Sequence, residues 1–180
     1  MNSLPTTSGS LKRIAPVLLA ASLLFSLSAF GALRTNNDAP AVSLPTVDGK
    51  EFDLGRSLRQ GRGTPSGGAV VSFFATWCAP CRNELPVLNA LVDELRTRGI
   101  AVVAVDLKEE LPVIRRFINE LGVDKLIVLS DRDGKTAERF HVRFLPTTFC
   151  IGADGKIKDM IYGEVRSADD VRKCAAKLSP

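Results

Sequence analysis

The chemistry open to this chain is concentrated in "WCAPC", Trp77 to Cys81, where two cysteines stand with two residues between them. Such a pair can ligate a metal, staple a small fold or exchange electrons with other thiols. A structural zinc site needs four ligands, commonly with a second Cys or His pair. The other cysteines, Cys150 and Cys174, lie far apart in the chain and His141 is its only histidine, so no metal is expected. A purely structural staple is disfavoured as well, because a two-residue loop removes little unfolded-chain entropy. Redox exchange is the reading left standing.

The flanking residues say how such a pair would be held. Before it runs "AVVSFF", Ala69 to Phe74, a continuous apolar stretch of the kind found in a strand buried on both faces. After it, Leu85, Leu88, Leu91, Val92 and Leu95 recur at helical spacing up to Gly99. Cys78 therefore opens a helix, where unpaired backbone N–H groups and the helix dipole favour a thiolate. Cys81 falls one turn in, more covered, where it can resolve a mixed disulfide. Strand, C-x-x-C and helix together are a strong signal, whereas the tetrad alone is weak.

The same reading extends along the chain. "VSLPTVDGKEFDL" forms a hairpin around Asp48-Gly49, and "RQGRGTPSGG" from Arg59 to Gly68 is a flexible surface loop. "IAVVAVDL" is a second buried strand. "EELPVIRRFINELG" is a helix with Pro112 in its first turn, and "KEELPVIRRF" gives it a solvated charged face. "KLIVLS" is a strand, "DRDG" a turn and "KTAERFHV" a short helix ending at His141, where a left-handed cap would suit Gly or Asn. His141 is assigned no chemistry. "TTFCIGADGKIKDMIYG" is a hairpin around Asp154-Gly155, and "SADDVRKCAAKL" a final helix capped by Ser167. Strands alternating with helices, closed by a hairpin and a helix, define an α/β fold with a central mixed sheet.

At the N-terminus Lys12 and Arg13 precede "IAPVLLAASLLFSLSAFGAL", Ile14 to Leu33, which carries no charge. Its length is about what a bilayer span requires, and "AFG" at Ala29 to Gly31 would also serve as a signal cleavage site. Residues 1–33 are thus a membrane anchor or a cleaved signal, 34–41 a polar tether, and 42–180 one globular domain. Basic residues ahead of the segment place that domain outside the cytoplasm, where disulfides persist. Without Lys12 and Arg13 the 24 basic residues become 22 against 20 acidic ones, a net of +2. With no basic stripe interleaved with aromatics, nucleic acid is excluded as a partner.

"FFATWCAPCRNELP" resembles the active-site segment of the thioredoxin superfamily, and more narrowly the membrane-anchored TlpA/ResA-like thiol–disulfide oxidoreductases of bacterial envelopes. The similarity runs from about Asp38 to the C-terminus and takes in "LPTVDGKEFDL", "LSDRDGKTAERFHVRFLPTTF" and "ADGKI". It implies a thioredoxin-like fold with an extra N-terminal hairpin and a helix inserted after "VVAVDL". It implies Cys78 as nucleophile, Cys81 as resolving thiol, and Pro146 in the cis form against the disulfide. Leu145 would then turn outward, its backbone free to pair with an extended client. Pro86 matches the family's helix-kinking proline. Glu84 matches an acidic residue that the reductive, cytochrome c maturation branch sets near the disulfide. Its spacing, i+3 from Cys81, suits proton handling, against the commoner fate of a solvated helix carboxylate. Trp77 is read as a partly exposed lid over the reactive sulfur. Ser72 departs from cytoplasmic thioredoxins, which have a buried aspartate there.

No cofactor is implied. The expected partners are disulfide-bearing client proteins, a membrane-embedded electron donor and, through residues 14–33, the inner membrane on its periplasmic side. A reductant of client disulfides is the favoured function. A disulfide donor or isomerase and a non-enzymatic thioredoxin-fold binding module are its rivals. The tryptophan and the C-x-x-C pair argue against a peroxiredoxin. Cys174 shares a helical face with Val171, Ala175 and Leu178, so Cys150 and Cys174 are both expected inside, as two inert thiols or a structural disulfide.

Overall fold

The computed structural model describes residues 33–59 and 67–178. Most of the apolar segment 14–33 and of the loop 59–68 lies outside the described residues.

The sheet is built where the sequence is most apolar. β3 (Gly68–Phe74) is buried along its whole length and pairs in parallel with β4 (Ile100–Leu107), which pairs in parallel with β5 (Ile127–Asp131). On the other side β6 (Thr147–Ile151) runs antiparallel to β3, and β7 (Ile157–Tyr162) antiparallel to β6. The order β5-β4-β3-β6-β7 makes a mixed sheet with β3 at its centre. Gly68 enters β3 at φ 114°, and a Cβ there would lie 2.4 Å from the Ile151 carbonyl oxygen, so only glycine fits the approach to β6.

Alternate side chains of the strands feed two helical layers. On one face Val71, Phe73, Val103 and Val105 pack with Leu54, Ala137 and Phe140, from α1 (Leu54–Arg59) and the end of α4 (Lys135–Arg139). Phe73, Phe140 and Phe149 meet there with ring centroids 4.9–5.8 Å apart. Fully burying each such ring contributes about 1.5–3 kcal/mol. On the other face Val70 and Val102 pack with Leu88, Leu91 and Leu95 of α2 (Ala79–Thr97) and with Val171 and Cys174 of α5 (Ala168–Ala176). Towards the strand ends that face continues through Phe74 and Ala104 to Ile114 and Phe117 of α3 (Leu111–Glu120), the inserted helix, with Pro112 in its first turn.

The N-terminal hairpin is present as β1 (Ser43–Pro45) and β2 (Glu51–Asp53). It lies on the β5 edge through a Thr46–Leu129 bridge and a Val47 N–H to Val128 O bond of 3.0 Å, so that sheet edge is covered.

Three local readings change. Residues 34–41 do not form a free tether. Asn36 N–H donates to Ile157 O at 2.7 Å, Ala39 N–H to Gly155 O at 2.9 Å, and Leu33 packs on the core. Backbone pairing supplies what this polar stretch lacks in apolar side chains. Helix α1 has no counterpart in the sequence reading, because only Leu54 of its six residues is buried and no apolar period emerges. Ser167 stands at the N-cap of α5, but its hydroxyl donates to Asp170 Oδ2 at 2.9 Å and accepts no backbone N–H. His141 does take the left-handed cap, at φ 53°.

Candidate active site

Cys78 and Cys81 are joined as a disulfide at the junction of β3 and α2. Cys78 is the N-cap residue of α2, and its Sγ accepts the Cys81 N–H at 3.3 Å. The sulfur therefore sits on a free helix N–H, the contact that stabilises a thiolate when the bond opens. Pro80 follows inside the first turn, where its missing N–H costs nothing. In the bonded state Cys78 keeps 5% exposure and Cys81 none. Of the two cysteines, only Cys78 keeps any exposure. Trp77 beside it is 72% exposed.

The loop before β6 is Arg143–Pro146, and its Leu145 packs on the same cluster as Cys78 and Cys81. The Leu145–Pro146 bond is cis, Pro146 is buried, and its carbonyl accepts the Gly163 N–H at 3.0 Å. Leu145 does not turn outward as expected. It is half-buried and packs against the cores on both sides of the sheet. The outward residues are Arg143 and Phe144; Phe144 is 52% exposed and its ring lies 5.5 Å from that of Tyr162.

Glu84 is buried, with 1% exposure, so it is not a solvated helix carboxylate. Oε1 accepts the hydroxyls of Ser72 at 2.6 Å and Thr148 at 3.2 Å, and Oε2 accepts the Val165 N–H at 2.8 Å. Ser72 and Thr148 are cross-strand partners in β3 and β6, so two adjacent strands present hydroxyls to one carboxyl from α2. Burial raises the proton affinity of Glu84 above that of an ordinary glutamate. The three hydrogen bonds oppose that shift, and the charge of Glu164 adds to it. Ser72 thus stands where cytoplasmic thioredoxins place an acid and instead donates to an acid from the helix.

Sequence reasoning did not find a second acidic group behind the loop. Glu109, assigned to a solvated helical face, precedes α3 and accepts both the N–H and the hydroxyl of Thr76 at 2.6 Å. Asp106, within β4, is fully buried, and its Oδ1 accepts the Glu109 N–H at 3.2 Å. Its signal was present as a charged residue ending a run of Ile, Ala and Val. Arg82 stacks on Phe117 with its guanidinium 4.8 Å from the ring centroid, tying the cysteine helix to the inserted helix. Cys150 and Cys174, left open above, are bonded to each other across β6 and α5. Among the described residues no group of three or more His, Cys, Asp or Glu is placed to hold a metal.

The comparisons with known proteins agree with this geometry. The AhpC/TSA family model matches residues 35–160. A thiol-disulfide oxidoreductase ResA from Geobacillus thermodenitrificans is 30% identical over 149 residues, 83% of this chain and 80% of that protein. The Bacillus subtilis ResA is 30% identical over 132 residues, 73% of this chain and 69% of that protein. A thiol:disulfide interchange protein of the thioredoxin family from Chlorobium tepidum superposes with a TM-score of 0.67 at 29% identity, over 82% of this chain and 99% of that one. A second Chlorobium tepidum structure, a thiol:disulfide interchange protein of DsbE type, gives 0.69 at 26% identity over 82% and 99%. A strand-to-helix disulfide, a cis-proline before β6 and these matches across most of the length place the chain in the AhpC/TSA family, among the thiol–disulfide oxidoreductases of ResA and DsbE type.

Proposed function

We propose that this oxidoreductase reduces disulfides of client proteins in the bacterial envelope, on the periplasmic side of the inner membrane, with apocytochrome c as a candidate client. The observation that carries this reading is Glu84, a buried carboxyl one helical turn beyond Cys81. The Cys78 thiolate attacks a client sulfur, forming a mixed disulfide and releasing one client thiolate. Cys81 then loses its proton, attacks Cys78 Sγ and releases the second client thiolate, leaving the Cys78–Cys81 disulfide. Cys81 is sealed from water and needs a local base for that step. A carboxylate whose proton affinity is raised by burial is a better base than one at the surface. A negative charge there also disfavours the Cys78 thiolate and with it the reduced protein, which makes the pair a stronger reductant.

Trp77, Leu145 and Pro146 are the residues assigned to client contact, and the apolar segment after Lys12 and Arg13 supports delivery across the membrane. A membrane-embedded donor would restore the dithiol. Among the described residues no helix is long and apolar enough to cross a membrane.

Equilibration of the Cys78/Cys81 pair with glutathione buffers tests the direction. The expected potential is more negative than about −200 mV, and Glu84→Gln should move it upward. A value near the roughly −120 mV of a dedicated oxidant would make the protein a disulfide donor.

A further inference from the structure

Two residues before Cys78 the chain is held by a carboxyl that thiol exchange does not call for. Thr76 gives both its N–H and its hydroxyl to Glu109. Glu109 reaches it because the chain reverses after β4 through Lys108, a non-glycine residue at φ 64°. Residues with side chains seldom adopt that region, and they stay in it where the surroundings fix them. Here the Lys108 N–H donates to Asp131 O at 3.1 Å, and its stem lies over Gly134, where a Cβ would meet Lys108 Cε at 2.1 Å. Beneath the turn lies Asp106. Its Oδ1 accepts the Glu109 N–H at 3.2 Å, and its Oδ2 is buried without a partner. A buried charged oxygen with no donor is a costly arrangement, and a proton on that oxygen removes the charge.

We propose that Asp106 keeps a proton and, through the Glu109 N–H it accepts, positions with Glu109 the Thr76–Cys78 loop. The electrostatics agree with the geometry. Burial first, then the neighbouring Glu109, push Asp106 up to about 8, and Asp131 at the end of β5 acts in the same direction. From α2 this part of the core takes Cys78 and Cys81, which do not titrate while bonded, and from α3 the uncharged Ile114, Phe117 and Ile118. When Asp106 loses its proton, two negative carboxylates face each other. The repulsion loosens the hold of Glu109 on Thr76 and shifts Trp77 and Cys78 with it. The consequence for exchange rests on Cys78 being the attacking sulfur; the pair itself does not.

Trp77 is the single tryptophan of the chain and follows Thr76 directly, so its emission reports the loop. In the oxidised protein the cysteines are silent. Titrating that emission from about pH 6 to about pH 9.5 should show a transition near the value of about 8 given above, absent from Asp106→Asn. In Glu109→Gln, where the neighbouring charge is gone, the transition should move down by roughly a pH unit or more. A flat wild-type trace, or a transition that persists in Asp106→Asn, overturns the proposal. Should Asp106→Asn fail to fold, an unmoved transition in Glu109→Gln overturns it equally. In the reduced wild type, alkylation of Cys78 should require two ionisations to describe its pH profile, and in Asp106→Asn only one. A Trp77 transition that behaves as expected while Cys78 proves unreactive supports the pair and refutes the exchange chemistry, so the two readings fail separately.

Discussion

Replacing Ser72 by alanine tests whether Glu84 is held as an acid whose charge matters. Ser72 is fully buried, and its hydroxyl makes the shortest of the three bonds to the Glu84 carboxyl, 2.6 Å against 2.8 and 3.2 Å. A hydrogen bond to a charged group contributes about 1.5–3 kcal/mol, and a neutral one about 1 kcal/mol. The sign with pH follows from the carboxyl. Its proton affinity in the folded protein is raised above the unfolded value, so stability is fully present at low pH and declines as pH rises and Glu84 must ionise inside. Ser72 offsets part of that decline by stabilising the ionised form. The cost of Ser72→Ala should therefore be about 1 kcal/mol at pH 4, where Glu84 is protonated, and about 2 kcal/mol or more at a pH well above its raised value. At a few degrees per kcal/mol the larger figure is a loss of roughly 4–8 °C in Tm. Urea unfolding of both oxidised proteins at the two pH values measures it. Asp106 is common to both and cancels in the difference. An equal cost at the two pH values, or none, would refute the view that Ser72 supports an ionisable Glu84.

Alkylating the reduced protein at mildly acid pH should label Cys78 before Cys81, and Cys81→Ser should trap a client on Cys78; labelling of Cys81 first would reverse their roles. Removing both Cys150 and Cys174 by alanine should cost about 3.5 kcal/mol, the loop-closure entropy for their sequence separation of 24, read by urea unfolding. The Cys78/Cys81 potential should not move, and a shift in it would mean that the second disulfide takes part in exchange. Phe144→Ala should slow reduction of protein disulfides several-fold while leaving exchange with a small dithiol unchanged; an equal loss with both would place Phe144 in the support of the site and not in client contact.

The cysteine pair and its helix were legible because local rules act alone there. A buried strand needs an unbroken apolar run, a helix needs its period, and the reactive residue falls at the seam. The core strands and both hairpins declared themselves for the same reason. What stayed hidden depends on contacts between distant segments. Glu84 has an ordinary spacing on an ordinary helix, and only the β3–β6 register brings Ser72 and Thr148 to it. Thr76 and Glu109 are separated by 33 positions and meet through a left-handed turn at Lys108 that no residue type announces. Leu145 was expected to face outward, but two cores converge on it, and that convergence is a property of the assembled sheet.

Ser72, Glu84, Asp106, Ser130, Asp131, Thr136, Thr147 and Thr148 are the buried polar and charged residues among those described. Burying such groups is unfavourable unless each finds a partner, so a sheet shaped by stability alone would fill these positions with Val or Ile. They are not spread through the core. Asp106 pairs in register with Phe74 and Ser130, Asp131 with Leu107, and Thr147 with Phe73, all towards the carboxyl ends of the parallel strands. That end is where open α/β sheets bind and transform ligands, and here it is where α2 begins with Cys78. The opposite ends of β3 and β4, from Gly68 to Val71 and from Ile100 to Val103, contain no polar side chain. The asymmetry sets Asp106, Ser130 and Thr147 at the end of the sheet that carries the disulfide, while Asp131 there accepts the Thr136 and Ala137 N–H groups and holds the start of α4. Apolar replacements at Ser72 and Thr148 each remove a hydrogen bond from the buried Glu84 carboxyl, so their cost should rise with pH as that carboxyl ionises.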